Sequence, residues 1–227
     1  MKSTVLTFFI LLLLPVSIGL GSIVIDDFTL GNSGAVPETF SSAGTHSVFT
    51  STDASILGGV RKWQVDVTAH SFTDTKIYDG VSGIFGISNG IGQHANIAVR
   101  WDGQENDTMA GGFPNVDLTE SGLNDTFTLK IGSVDLPTNF ALTVSDSSST
   151  VEVIKTLSGA ASKQFFFSEF AGVDFTDVQS VQLNMHGQSA YDVAIDRLLV
   201  SQYVPEPVTA FCWTPLLGMF LLRRRKN

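Results

Sequence analysis

Short runs of strict apolar–polar alternation recur along this chain, and no long window sustains helical spacing. Trp63, Val65 and Val67 alternate with Gln64, Asp66 and Thr68, and Ile97, Val99 and Trp101 alternate with Ala98 and Arg100. Phe127, Leu129 and Ile131 do the same against Thr126, Thr128 and Lys130, and Phe140, Leu142 and Val144 continue the pattern. Later, Val181, Leu183 and Met185 alternate with Gln182, Asn184 and His186, and a last run over 190–201 carries Val193 and Ile195 on one face. A period of two sends successive side chains to opposite faces of a strand. Turn formers separate the runs: Asp79-Gly80, Asn89-Gly90, Asp102-Gly103, Gly111-Gly112 and the serine-rich stretch 145–149. Each such strand must bury one face against another sheet. The sequence therefore predicts an all-β fold, an antiparallel two-sheet β-sandwich.

The two ends follow different rules. Lys2 precedes an apolar run from Val5 to Leu14, then Pro15 and small residues through Gly19-Leu20-Gly21-Ser22. That is the pattern of a secretory signal peptide, expected over residues 1–21 with cleavage after Gly21. At the other end, Val204-Pro205-Glu206-Pro207 leads into an apolar segment from Val208 to Leu222, which Arg223, Arg224, Arg225 and Lys226 close. As helix, that segment spans only ~22 Å, against ~30 Å for a hydrocarbon core. Pro215 and Gly218 weaken it further. It suits transient insertion, with the basic cluster held on the cytoplasmic side.

This three-part tail resembles the PEP-CTERM sorting signal of Gram-negative-type bacteria. The resemblance implies processing by an exosortase, a membrane-embedded cysteine transpeptidase. It would read Pro205, Glu206 and Pro207, with Arg223 to Lys226 as the basic stop. It also implies transient anchoring in the inner membrane on the way to the cell surface or extracellular matrix. The expected organisation is a signal peptide (1–21), an exported β-sandwich (22–203) and a sorting signal with a short apolar helix (204–227).

Composition bounds what the exported body does. Of 13 Lys and Arg, one lies in the leader and four in the tail; of 22 Asp and Glu, only Glu206 lies outside the body, which therefore carries a net charge of −13. Such acidity argues against nucleic-acid partners. The sole cysteine, Cys212, belongs to the tail, so the body has neither a disulfide nor a thiol nucleophile. His46, His70, His94 and His186 are scattered without zinc spacing, and no serine sits in a Gly-x-Ser-x-Gly elbow. No catalytic residue is assigned. The reading is non-enzymatic: a structural or adhesive surface or matrix protein. A hydrolase built on a carboxylate pair is the least favoured reading.

The body opens Ile23-Val24-Ile25-Asp26-Asp27-Phe28 and closes Tyr191-Asp192-Val193-Ala194-Ile195-Asp196-Arg197-Leu198-Leu199. These ends resemble the terminal strands of galactose-binding-like jelly rolls, which include many carbohydrate-binding modules. The resemblance implies a jelly roll whose first and last strands lie side by side. It also supplies the alternative function, a module that binds exopolysaccharide. Neighbouring terminal strands would bring Asp26 or Asp27 near Asp192 or Asp196, a set suited to a structural calcium ion because Ca²⁺ takes carboxylate oxygens without needing a helix. Trp101, at a strand-to-turn junction with Asp102-Gly103, is the candidate ligand contact. The cluster Phe165-Phe166-Phe167, Phe170 and Phe175 is assigned to the core, with one of the three consecutive rings on the opposite face.

Overall fold

The alternating runs become the central strands of two facing sheets. The computed structural model describes residues 21–31 and 36–204. The leader before Gly21, the Pro205-Glu206-Pro207 signal, Cys212, the apolar segment and Arg223 to Lys226 lie outside the described residues. Within them no helix is long and apolar enough to cross a membrane.

The strands are β1 (Ile23–Asp26), β2 (Glu38–Phe40), β3 (Gly44–Thr45), β4 (Phe49–Thr52), β5 (Val60–Ala69), β6 (Thr75–Val81) and β7 (Ile84–Asn89), then β8 (His94–Trp101), β9 (Thr126–Val134), β10 (Thr138–Ser145), β11 (Thr150–Leu157), β12 (Ala161–Phe166), β13 (Ser180–Gly187) and β14 (Asp192–Ser201). Sheet A runs β12-β9-β14-β7-β6-β2, with β1 also paired to β14; sheet B runs β11-β10-β13-β8-β5-β3, with β4 also paired to β5. All the pairings are antiparallel. From β7 to β14 the chain changes sheet at every connection except the β10–β11 hairpin. This wrapping is a jelly roll. As expected, the first and last strands are neighbours: Ile23 pairs with Val200 and Asp26 with Leu198, across a bulge.

The inner faces carry the apolar half of each alternation. Trp63 stacks on Phe49 with ring centroids 4.1 Å apart and planes within 8°. Phe28 lies between Phe85 at 5.7 Å and Trp101 at 6.2 Å. A second aromatic cluster joins Phe127, Phe167, Phe170 and Phe175, with Phe167 stacked on Phe175 at 3.8 Å. Phe165 is buried on the inner face and Phe166 turns outward against Tyr203. The strand then gives way to a 3-10 turn, Phe167–Glu169, which swings Phe167 back inside. Burial of such rings supplies about 1.5–3 kcal/mol each.

One end of this interior is ionic. Arg61 of sheet B places Nη1 2.6 Å from Asp26 and Nη2 2.5 Å from Asp79, both on sheet A, and all three side chains are buried. Trp101 Nε1 donates to Asp26 at 2.8 Å, and Trp63 Nε1 and Ser51 Oγ donate to Asp79 at 3.0 and 2.7 Å. Burial raises the Asp26 carboxyl above its ordinary value, against the opposing pull of Arg61 and the Trp101 hydrogen bond. The two tryptophans thus serve the carboxylates with their N–H groups and the core with their rings.

Candidate functional site

The outer face of sheet B collects the polar half of five strands. Strand register sets three rows across it. The first is Lys62, Arg100, Gln182, Thr143 and Glu152; the second is Gln64, Ala98, Asn184, Ala141 and Ile154; the third is Asp66, Asn96, His186, Asn139 and Thr156. Thr45 extends the third row beside Asp66. With strands ~4.8 Å apart, each row is ~19 Å from β5 to β11. The middle row dips at Ala98 and Ala141, with Asn184 between them and Gln64 and Ile154 at its ends. A small cavity of about 90 Å³ opens there, bounded by Gln64, Asp66, Asn96, Ala98, Asn184 and His186.

Hydrogen bonds between neighbours orient these side chains. His186 Nδ1 lies 3.0 Å from Asn96 Oδ1, Gln182 Nε2 donates to Asn184 Oδ1 at 2.8 Å, and Thr156 Oγ1 donates to Asn139 Oδ1 at 2.6 Å. Thr45 Oγ1 donates to Asp66 at 2.9 Å, and Gln64 Nε2 to the His46 carbonyl at 2.9 Å. Each amide still has donors or acceptors to spare. The result is a fixed array of planar groups around the low positions Ala98 and Ala141.

The loop after β8 walls one side of the array. Asp102 Oδ2 receives Lys62 Nζ at 2.6 Å and Arg100 Nε at 3.0 Å. Lys62 also donates to Asn106 Oδ1 and the Ala110 carbonyl, both at 3.1 Å, and Arg100 donates to the Gly111 carbonyl at 2.7 Å. Lys62 is wholly buried beneath this loop, although it sits on the polar side of its strand. Asp102 is thus the shared counter-ion of both first-row cations, and the solvent-accessible carboxylates of the array are Asp66 and Glu152.

The residues singled out from sequence fall elsewhere. Trp101 has no exposed surface. It is a core residue that holds Asp26, which corrects the expectation of a ligand contact: it is the last residue of β8, on the strand's inward phase. The four aspartates proposed for calcium are not brought together. Asp26 points inward to Arg61, and Asp27 caps a turn through Thr29 N and Oγ1 at 3.1 and 2.7 Å. Asp192 accepts from Asn89 N at 3.1 Å, and Asp196 is exposed at a bulge beside Gly132. Among the described residues no group of three or more His, Cys, Asp or Glu is placed to hold a metal ion. The amide array had a sequence signal, because the polar positions of three alternations are Gln, Asn and His where lysine or glutamate is common on a strand's solvent side.

No protein-family model matches the chain, and no curated protein matches it. Solved structures similar to it include a family 11 carbohydrate-binding module from Clostridium thermocellum in complex with a β-1,3-1,4-mixed-linked tetrasaccharide, at 10% identity over 82% of this chain and 99% of that one, TM-score 0.40. A family 29 module complexed with mannohexaose is similar at 12% identity over 80% and 92% of the two chains, TM-score 0.34. An exo-β-agarase is similar at 10% identity over 82% of this chain and 26% of that one, TM-score 0.41. Similarity this distant leaves any functional reading to the chain's own geometry.

Proposed function

We propose that the domain is a non-catalytic carbohydrate-binding module that engages a glycan chain on the outer face of sheet B. The observation that carries this reading is the register of five strands, which lines up amides, carboxylates and a histidine around the low positions Ala98 and Ala141. Sugar hydroxyls each donate and accept, and adjacent hydroxyls present the paired geometry that planar amides and carboxylates match. The array has no aromatic platform, so recognition there rests on hydrogen bonds and on the shallow relief around Ala98 and Ala141.

The same geometry argues against turnover on this face. Asp66 and Glu152 sit on β5 and β11, four strand spacings or ~19 Å apart across the sheet and two rows apart along it, whereas paired glycosidase carboxyls stand about 5–9.5 Å apart. Export through the leader, sorting by an exosortase at Pro205-Glu206-Pro207 and display at the cell surface or in an exopolysaccharide matrix complete the proposal. Affinity electrophoresis through gels containing single polysaccharides tests it. Wild-type protein is expected to be retarded by at least one neutral polysaccharide, and Asn184→Ala with His186→Ala to migrate freely. Equal retardation of both proteins refutes the assignment of the face.

A further inference from the structure

The outer face of sheet A holds a second depression of different character. Tyr78 pairs with Gly86, Gly86 with Ala194 and Ala194 with Ser133, so a phenol ring stands beside three small residues in one row. The ring lies against the backbone: a Cβ built on Gly86 would meet Tyr78 Cβ at 3.3 Å and Cδ2 at 3.5 Å. A cavity of about 240 Å³ opens over this row, with Ser88 and Asp192 on its rim and Ile84 closing one side. Asp192 uses Oδ1 to cap Asn89 N at 3.1 Å, which leaves Oδ2 for another donor.

From this geometry we infer a second saccharide site on sheet A, sized for one neutral hexopyranose unit. A pyranose ring has an apolar face of C–H groups and a rim of hydroxyls. Tyr78, packed over Gly86, offers an aromatic wall to the apolar face, and the small side chains of Ala194 and Ser133 let the sugar come close to the sheet. Ser88, Ser133 and Asp192 offer oxygens to the hydroxyls. A second carboxylate, Asp135, accepts from Asp192 N at 2.7 Å, and the two acids outweigh the single cation Lys76 paired across from Ser88, so the local charge disfavours anionic sugars. Because the two sheets face opposite ways, a domain with both sites joins two glycan chains. That consequence, unlike the site itself, rests on the assignment of sheet B.

Isothermal titration of the purified body with short neutral gluco-, manno- and galacto-oligosaccharides separates the two sites. Wild-type protein is expected to bind two equivalents of at least one of them. Tyr78→Ala is expected to bind one, and Asp192→Asn, which keeps the cap on Asn89, to weaken the same site by about threefold to tenfold. With Asn184→Ala and His186→Ala, one equivalent remains and is lost on adding Tyr78→Ala. If Tyr78→Ala and Asp192→Asn both bind like wild type, the sheet A site is refuted while sheet B stands. If binding survives the sheet B changes in full and disappears with Tyr78→Ala, the sheet B assignment falls and this one stands. Absence of binding to every oligosaccharide refutes both.

Discussion

Arg61 on β5 crosses the interior to Asp26 on β1, Nη1 to Oδ2 at 2.6 Å, and so ties the two sheets together where the chain begins. The guanidinium also holds Asp79 at 2.5 Å. One cation therefore serves two buried carboxylates, and the indole N–H groups of Trp63 and Trp101 share the remaining load. Removing the cation alone takes the guanidinium away from two buried acids. Arg61→Met is expected to cost about 3–5 kcal/mol, read as a fall in the urea midpoint at neutral pH. Adding Asp26→Asn and Asp79→Asn should return part of that loss, and a midpoint unchanged in Arg61→Met would contradict the clasp.

Two acids give the fold opposite responses to pH. The Asp146 carboxylate accepts from the backbone N–H of Asp174, Ser148 and Ser149 at 2.6, 2.6 and 2.5 Å, and these bonds lower its pKa from 3.8 to about 2. A depressed acid contributes stability above its unfolded value and loses it as pH falls through the folded one. Asp26, raised by burial, is more protonated folded than unfolded, so its contribution is fullest in acid and fades as pH rises through its raised value. In Asp146→Asn the gap in urea midpoint from wild type should therefore shrink between about pH 5 and about pH 2.5. A gap that stays constant would show that these bonds do not depend on the charge.

Tyr191 lies across Gly187, where a built Cβ would come within 2.1 Å of the ring, and its hydroxyl donates to the Ala95 carbonyl at 2.9 Å. Burial raises the phenol above its ordinary value. Tyr191→Phe is expected to cost about 1 kcal/mol. Gly187→Ala must push the buried ring aside and should cost about 1–3 kcal/mol. Thermal melts that rank Gly187→Ala as neutral would contradict this packing.

The strand pattern was legible because Trp63, Val65 and Val67, and likewise Ile97 and Val99, alternate cleanly with polar residues, and burial enforces that phase. Arg61 broke the rule invisibly. It shares the inward phase of Trp63, yet an arginine at the start of a strand reads as solvent-facing until Asp26 and Asp79, distant in sequence, are placed opposite it. Lys62 was hidden for a related reason: its outward phase is covered by the loop that Asp102 anchors. Trp101 was misread because a turn follows it, although its phase within β8 already pointed inward. The amide array could not be assembled from sequence, since Gln64, Asn96 and Asn184 become neighbours only through the order β5-β8-β13, which alternation leaves open.

Asp102 links the wall of the array to its first row, through Lys62 and Arg100. Asp102→Ala leaves Lys62 buried without its counter-ion and is expected to cost about 3–5 kcal/mol. Asp102→Asn keeps an acceptor for the Gln104 N–H bond, 3.1 Å in the native chain, and should cost less. In a well-folded Asp102→Asn protein, proteolysis within residues 103–112 should accelerate. Cleavage no faster than wild type would mean that the loop is held by other contacts.

The central claim is that sheet B presents a glycan-binding face, and chemical-shift mapping with a bound oligosaccharide tests it most directly. The account predicts that the largest backbone and side-chain amide changes fall on Gln64, Asn96, Asn184 and His186, with the core indole of Trp101 little moved. Changes that avoid β5, β8 and β13 while the same sugar binds would contradict it.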